Sequence, residues 1–147
     1  MPSQTQAKET LIHDIIIEFS LNEEQERAFK MVVEGCTGDQ KQLMMYIGGM
    51  GGTGKSQVFK AITAFFERRG EAYRFMIMAP TGSAAANVGG STYASLLGIG
   101  RDEFGSSSVA TLSKIRERIG RADVFLIDEV SMVSCEQLAK ISSQLCL

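Results

Sequence analysis

The chain has 147 residues, 44% hydrophobic and 22% charged, and its 15 Lys and Arg against 17 Asp and Glu leave a net charge of −2. These fractions belong to an ordinary globular chain and exclude wholesale disorder and fibrous repeats. The near balance of charge excludes a basic nucleic-acid-binding tail but leaves room for a local basic groove. Apolar runs such as Leu43 to Ile47 stop far short of the ~18 residues that would suggest a membrane span, so no membrane partner is expected. The three cysteines, Cys36, Cys135 and Cys146, have no C-x-x-C spacing and read as reduced thiols in an intracellular protein. His13, the single histidine, lacks the partners a triad or a metal site would need.

In chain order, residues 1–20 read as a flexible lead that ends in a short apolar patch, Leu11 to Phe19. Asn22, Glu23, Glu24 and Gln25 mark a helix start. Asn22 can cap, Gln25 can reach back from the third helical position, and the two Glu suit the positive helix end. Phe29, Val32 and Val33 give that helix a buried face, and Gly35 is expected to stop it. Leu43 to Ile47 reads as a strand buried on both faces of a parallel sheet. Ser56 to Arg69 carries Val58, Phe59, Ile62, Phe65 and Phe66 at helical spacing, closed by Gly70. Phe75 to Ala79 is a second buried strand, ended by Pro80. With Leu43 to Ile47 it would place Met44, Met45, Met76 and Met78 in the core. Residues 81–108 are expected to hold two short helical turns, and Ser113 to Gly120 a short helix. Val124 to Ile127 is the third buried strand. Ser134 with Gln137 repeats the capping pattern before Leu138, Ile141 and Leu145. Alternating strands and helices define an α/β protein with a mainly parallel sheet.

Two motifs carry chemistry. Gly49-Met50-Gly51-Gly52-Thr53-Gly54-Lys55-Ser56 matches G-x-x-x-x-G-K-S, with an apolar run before it and a strong helix after it. Its glycines let the backbone turn several N–H groups toward one anion, and the helix points its positive end at the same place. Lys55 would reach the β and γ phosphates and the Ser56 hydroxyl would ligate Mg²⁺. The second motif is Val124-Phe125-Leu126-Ile127-Asp128-Glu129, a strand that ends in two carboxylates. Asp128 would hold the metal through its water shell, and Glu129 would polarise an attacking water. A strand-end acidic pair of this kind suits an ATPase driving motion better than a small-molecule kinase.

Together with Leu21-Asn22-Glu23-Glu24-Gln25, Gly48 to Ser56, Ala79-Pro80-Thr81-Gly82-Ser83-Ala84-Ala85-Ala86, Gly90-Ser91-Thr92-Tyr93 and Ile127-Asp128-Glu129-Val130-Ser131-Met132-Val133, these motifs resemble the Pif-family (petite integration frequency) 5′-to-3′ DNA helicases of superfamily 1. The likeness is greatest to the helicase region of Helitron transposons, and it covers Leu21 to Leu147. The resemblance implies a P-loop NTPase fold, an incomplete RecA-like parallel sheet with flanking helices over residues 21–147. It implies ATP with Mg²⁺ as cofactors and single-stranded DNA as the partner of the full-length protein. The implied activity is ATP-driven translocation and unwinding in DNA repair, recombination or telomere maintenance, in the nucleus or mitochondrion of a eukaryote. Gln25 matches the glutamine that reads the adenine edge. Pro80, Thr81 and Gly82 match the segment that contacts single-stranded DNA. Lys114, Arg116, Arg118 and Arg121 match no family motif and read as a solvated helix face.

Ala94 stands where the family usually has a histidine. Within these 147 residues the Gly-Asp-x-x-Gln motif and the second RecA-like domain with its arginine finger, which the resemblance implies further along, are not read. The resemblance places the strand after the acidic-pair helix between the other two motif strands. The isolated chain is therefore expected to leave sheet edges open, to be marginally stable, and to hydrolyse ATP very slowly without unwinding. The alternative reading is a truncated, non-catalytic remnant that at most binds nucleotide.

Overall fold

The computed structural model describes residues 3–38, 42–48, 54–98 and 109–145. The chain forms two compact units, Met1–Ala72 and Tyr73–Leu147.

The first unit is helical. Helix α1 (Gln4–Glu18) replaces the expected flexible lead. Ser3 caps it by accepting the Gln6 N–H at 3.3 Å, and Ile12 and Ile15, one turn apart, are buried. Helix α2 (Glu23–Thr37) opens on the expected capping box: Asn22 Oδ1 accepts the Gln25 N–H at 2.9 Å, and Gln25 Oε1 accepts the Asn22 N–H at 3.0 Å. Gly35 does not stop this helix, which runs on to Thr37 and is capped by Gly38. The glycine instead makes room for a neighbour, because a Cβ there would lie 3.0 Å from Leu43 Cδ2. Helix α3 (Lys55–Arg68) buries Val58, Phe59, Ala61, Ile62, Phe65 and Phe66. It packs on α2 and α1, with Phe29 of α2 edge-on to Phe65 at 6.2 Å between ring centroids.

Leu43 to Ile47 is not a strand. Leu43, Met44 and Tyr46 are exposed, Met44 by 85%, and Met45 is half-buried, so neither methionine is core. An apolar run becomes a strand only where a neighbour offers an edge for its N–H and C=O groups. Among the described residues the sheet consists of three strands that all lie in the second unit.

That sheet has the order β2-β1-β3 and is parallel throughout. Strand β1 (Phe75–Ala79) and strand β3 (Val124–Ile127) occupy the residues their apolar runs specify. Their register pairs Phe75 with Val124 and Met78 with Ile127. It is pinned at the strand starts by the Arg74 guanidinium on the Asp123 carboxylate, 2.9 Å at the closest contact, and by the Asp123 N–H on the Arg74 carbonyl. As an edge strand, β3 is half-buried rather than buried. Two short helices occur where two helical turns were expected, α4 (Gly82–Val88) and α5 (Tyr93–Leu97), with the two-residue strand β2 (Ser91–Thr92) between them. Helix α6 (Val109–Ile119) starts earlier than the predicted Ser113. Helix α7 (Cys135–Leu145) follows the Ser134–Gln137 cap. Met78, Tyr93, Leu96, Leu97, Ile115, Ile119 and Ile141 form the core of this unit, and Leu138 stays exposed.

Gly90 is where β2 meets β1. A Cβ there would lie 2.5 Å from the Ile77 carbonyl oxygen and 2.9 Å from the Ile77 Cβ. Those atoms belong to the middle strand and cannot swing aside. Gly90→Ala should therefore cost about 1–3 kcal/mol of stability, the usual penalty of overpacking, seen as a lower denaturation midpoint. Unchanged stability would show that β2 is not held against β1.

Candidate nucleotide and DNA site

The expected site residues fall in both units. Gly49, Met50, Gly51, Gly52 and Thr53 lie outside the described residues. The end of the phosphate loop is described. Gly54 is the N-cap of α3 in a left-handed conformation (φ 86°, ψ 17°), which glycine adopts without the Cβ penalty other residues meet. Lys55 and Ser56 are the first two residues of the helix, Lys55 half-buried and Ser56 exposed. Helix α2 carries a side-chain cap and three acids in its first turn; α3 has neither. The N–H groups and positive dipole at its start thus meet no carboxylate of their own first turn, the arrangement that favours an anionic ligand.

Gln25 sits at this same place, which sequence spacing alone did not disclose. Besides closing the capping box, its Nε2 donates to the Gly54 carbonyl at 3.1 Å. A second side-chain amide ties the same turn to the α1–α2 junction, as Gln57 Nε2 donates to the Phe19 carbonyl at 3.1 Å.

In the second unit, the parallel strands bring their carboxyl ends to one edge, where open α/β sheets bind ligands. The Asp128 N–H extends the ladder by donating to the Met78 carbonyl at 2.8 Å, which fixes the half-buried Asp128 just beyond β3. Glu129 is exposed, and its backbone is left-handed (φ 52°, ψ 44°). Its carbonyl accepts the Met132 N–H at 2.9 Å, starting a single 3₁₀ turn, Val130–Met132. Pro80 and Thr81 follow β1 at this edge. Thr81 caps α4 by accepting the Ala84 N–H at 3.2 Å. Gly82 is exposed, and a Cβ there would meet nothing within 4 Å.

Lys114, Arg116, Arg118 and Arg121 are all exposed. Two of them make contacts in their own unit. Arg118 donates to the Ser95 carbonyl at 2.7 Å, and the Arg121 guanidinium lies 4.1 Å from the Tyr73 ring centroid. Ala94, at the position of the family's usual histidine, is exposed in α5. Among the described residues no group of His, Cys, Asp or Glu gathers as a metal cluster, and no helix is long and apolar enough to cross a membrane.

A parallel sheet ending in an acidic pair, and a G-x-x-x-x-G-K-S segment opening a helix from a left-handed glycine, define an α/β protein of the P-loop class. Within that class the chain belongs to the PIF1-like helicase family, whose profile matches residues 20–146. The chain is similar to the ATP-dependent DNA helicase PIF4 of Trypanosoma brucei brucei, 32% identical over 124 residues, 80% of this chain and 14% of that protein. Against the ATP-dependent DNA helicase PIF1 of Emericella nidulans it is 35% identical over 126 residues, 80% of this chain and 16% of that protein. Against the PIF1 helicase of Rattus norvegicus the figures are 29%, 84% and 18%. The chain thus spans less than a fifth of the length of these relatives. No solved structure matches it significantly.

Proposed function

We propose that this chain is the nucleotide-binding portion of a 5′-to-3′ DNA helicase motor, which couples ATP hydrolysis to translocation along single-stranded DNA. The observation that carries the reading is the Gly54-Lys55-Ser56 start of α3, with no acid in its first turn, in a chain of the PIF1-like family. Main-chain N–H groups at that turn would bind the phosphates, and the Lys55 ammonium would pair with the β and γ phosphates.

Ser56 and Asp128 would each offer Mg²⁺ a hard oxygen donor of the kind it takes. When bound, the ion neutralises phosphate oxygens. Glu129, exposed just past Asp128, would accept a proton from the attacking water. Pro80, Thr81 and Gly82 would meet the DNA backbone. Gly82 is exposed, and a side chain there would meet open space. The work of such a motor would be repair, recombination or telomere maintenance in the nucleus or mitochondrion.

The test is ATP hydrolysis with and without single-stranded DNA, by a longer protein that contains this chain. Stimulation by DNA is expected. Lys55→Ala should weaken ATP binding by about ten- to a hundredfold, the worth of hydrogen bonds to a charged partner. DNA-independent hydrolysis, or unaltered binding in Lys55→Ala, would overturn the reading.

A further inference from the structure

We propose that Gln25 is a positioning residue for the Gly54-Lys55-Ser56 start of α3, acting on the triphosphate through Gly54 independently of any reading of the base. The inference rests on the nucleotide reading above and adds a role to it. Both ends of the Gln25 amide are engaged inside the protein: Oε1 accepts the Asn22 N–H at 3.0 Å, and Nε2 donates to the Gly54 carbonyl at 3.1 Å. Those partners fix which way round the amide lies, because an N–H needs an acceptor and a carbonyl needs a donor. Gly54 is the residue immediately before Lys55. Its carbonyl also accepts the Gln57 N–H at 3.1 Å, so the Gln25 bond acts on the peptide that sets the first turn of α3. The Gln57–Phe19 bond ties the same turn to the α1–α2 junction. Two side-chain amides, from segments far apart in sequence, thus hold the place where Lys55 and Ser56 leave the loop. A catalytic geometry held in this way loses affinity when its support is removed, even though the support touches no ligand.

Gln25→Glu separates the capping role from the positioning role. A carboxylate still accepts the Asn22 N–H, and Glu is as good as Gln at the third helical position of a capping box. It cannot donate to the Gly54 carbonyl, and it places one acceptor against another. Asn22→Ala is the reverse variant: it removes the acceptor of the Gln25 N–H and spares the Gly54 bond.

The experiment measures binding of ATP, GTP and inorganic tripolyphosphate, each with Mg²⁺, to the full chain and to both variants, alongside thermal melts. At high ionic strength, which screens repulsion between the new carboxylate and the three polyanions, the expected result for Gln25→Glu is a loss of about five- to tenfold for all three ligands alike, with the melting temperature kept. For Asn22→Ala, a lower melting temperature with unchanged relative affinities is expected. If Gln25→Glu weakened ATP alone and left tripolyphosphate untouched, the residue would act on the base only and the proposal would be overturned. If the melting temperature and all affinities fell together in both variants, Gln25 would be only a helix cap. Failure of the unaltered chain to bind any of the three ligands would instead overturn the underlying nucleotide reading.

Discussion

Glu129→Gln should leave ATP binding intact and slow hydrolysis by about 10²–10⁴-fold, the usual worth of a positioned general base. Gln keeps the size of the side chain and its backbone demands, but it is neutral and cannot take the proton. The left-handed backbone at Glu129 (φ 52°) adds a second expectation. For a residue with a Cβ this conformation costs roughly 1–2 kcal/mol, and here the turn after β3 imposes it. Glu129→Gly would relieve that cost and return part of it as extra freedom of the unfolded chain. The net expectation is about 0.5–1 kcal/mol more stability than the parent, together with the same loss of turnover. Thermal melts of parent, Gln and Gly forms, beside ATPase rates, give both readings. A Gly variant that melts below the Gln variant would show that the conformation is not strained. Retained hydrolysis in Glu129→Gln would remove the residue as the base. Opposite signs for stability and activity are the mark of strain kept for function.

Much of the second unit was legible because its signals are local. Phe75 to Ala79 and Val124 to Ile127 are apolar runs bounded by breakers or charges, and both became strands at those residues. The two capping boxes, Asn22 with Gln25 and Ser134 with Gln137, formed as read, since their partners stand three residues apart. What escaped depends on partners distant in sequence, or on costs that no residue type announces. Leu43 to Ile47 has the composition of a buried strand, but pairing is a property of its neighbours, and Leu43, Met44 and Tyr46 lie exposed. Gly35 resembles a helix stop, yet the helix carries it for two more residues and the gap admits Leu43. Helix α1 hid because its first two turns are polar and only Ile12 and Ile15 are buried. In the candidate site, the motif spacing marked Gly54, Lys55, Ser56, Asp128 and Glu129. The resemblance set Gln25 at the base of the nucleotide, but the spacing held no sign of its bond to the Gly54 carbonyl, 29 positions away, or that a glutamate would adopt a conformation glycine prefers.

Gly54→Ala is expected to have the largest effect on the first unit, for two separable reasons. The backbone at Gly54 is left-handed, φ 86°, which costs an alanine about 1–2 kcal/mol. The new Cβ would also collide with Gln25 Nε2, so the amide must leave the Gly54 carbonyl and forfeit a hydrogen bond worth ~0.5–1.5 kcal/mol. Together these predict a loss of about 2–3 kcal/mol, a large share of the ~5–15 kcal/mol that holds a typical domain. A double-mutant cycle separates the terms. In Gln25→Ala the obstructing amide is gone, so adding Gly54→Ala to it should cost only the backbone term, and the cycle should show a coupling of about 1 kcal/mol. Additive losses in denaturant melts would mean that the amide and the loop do not meet. Nucleotide binding should fall in Gly54→Ala more than in Gln25→Ala, because only the former changes the backbone from which Lys55 and Ser56 depart. The same glycine therefore opens α3 from a conformation other residues avoid and leaves space for the Gln25 amide that bonds its carbonyl.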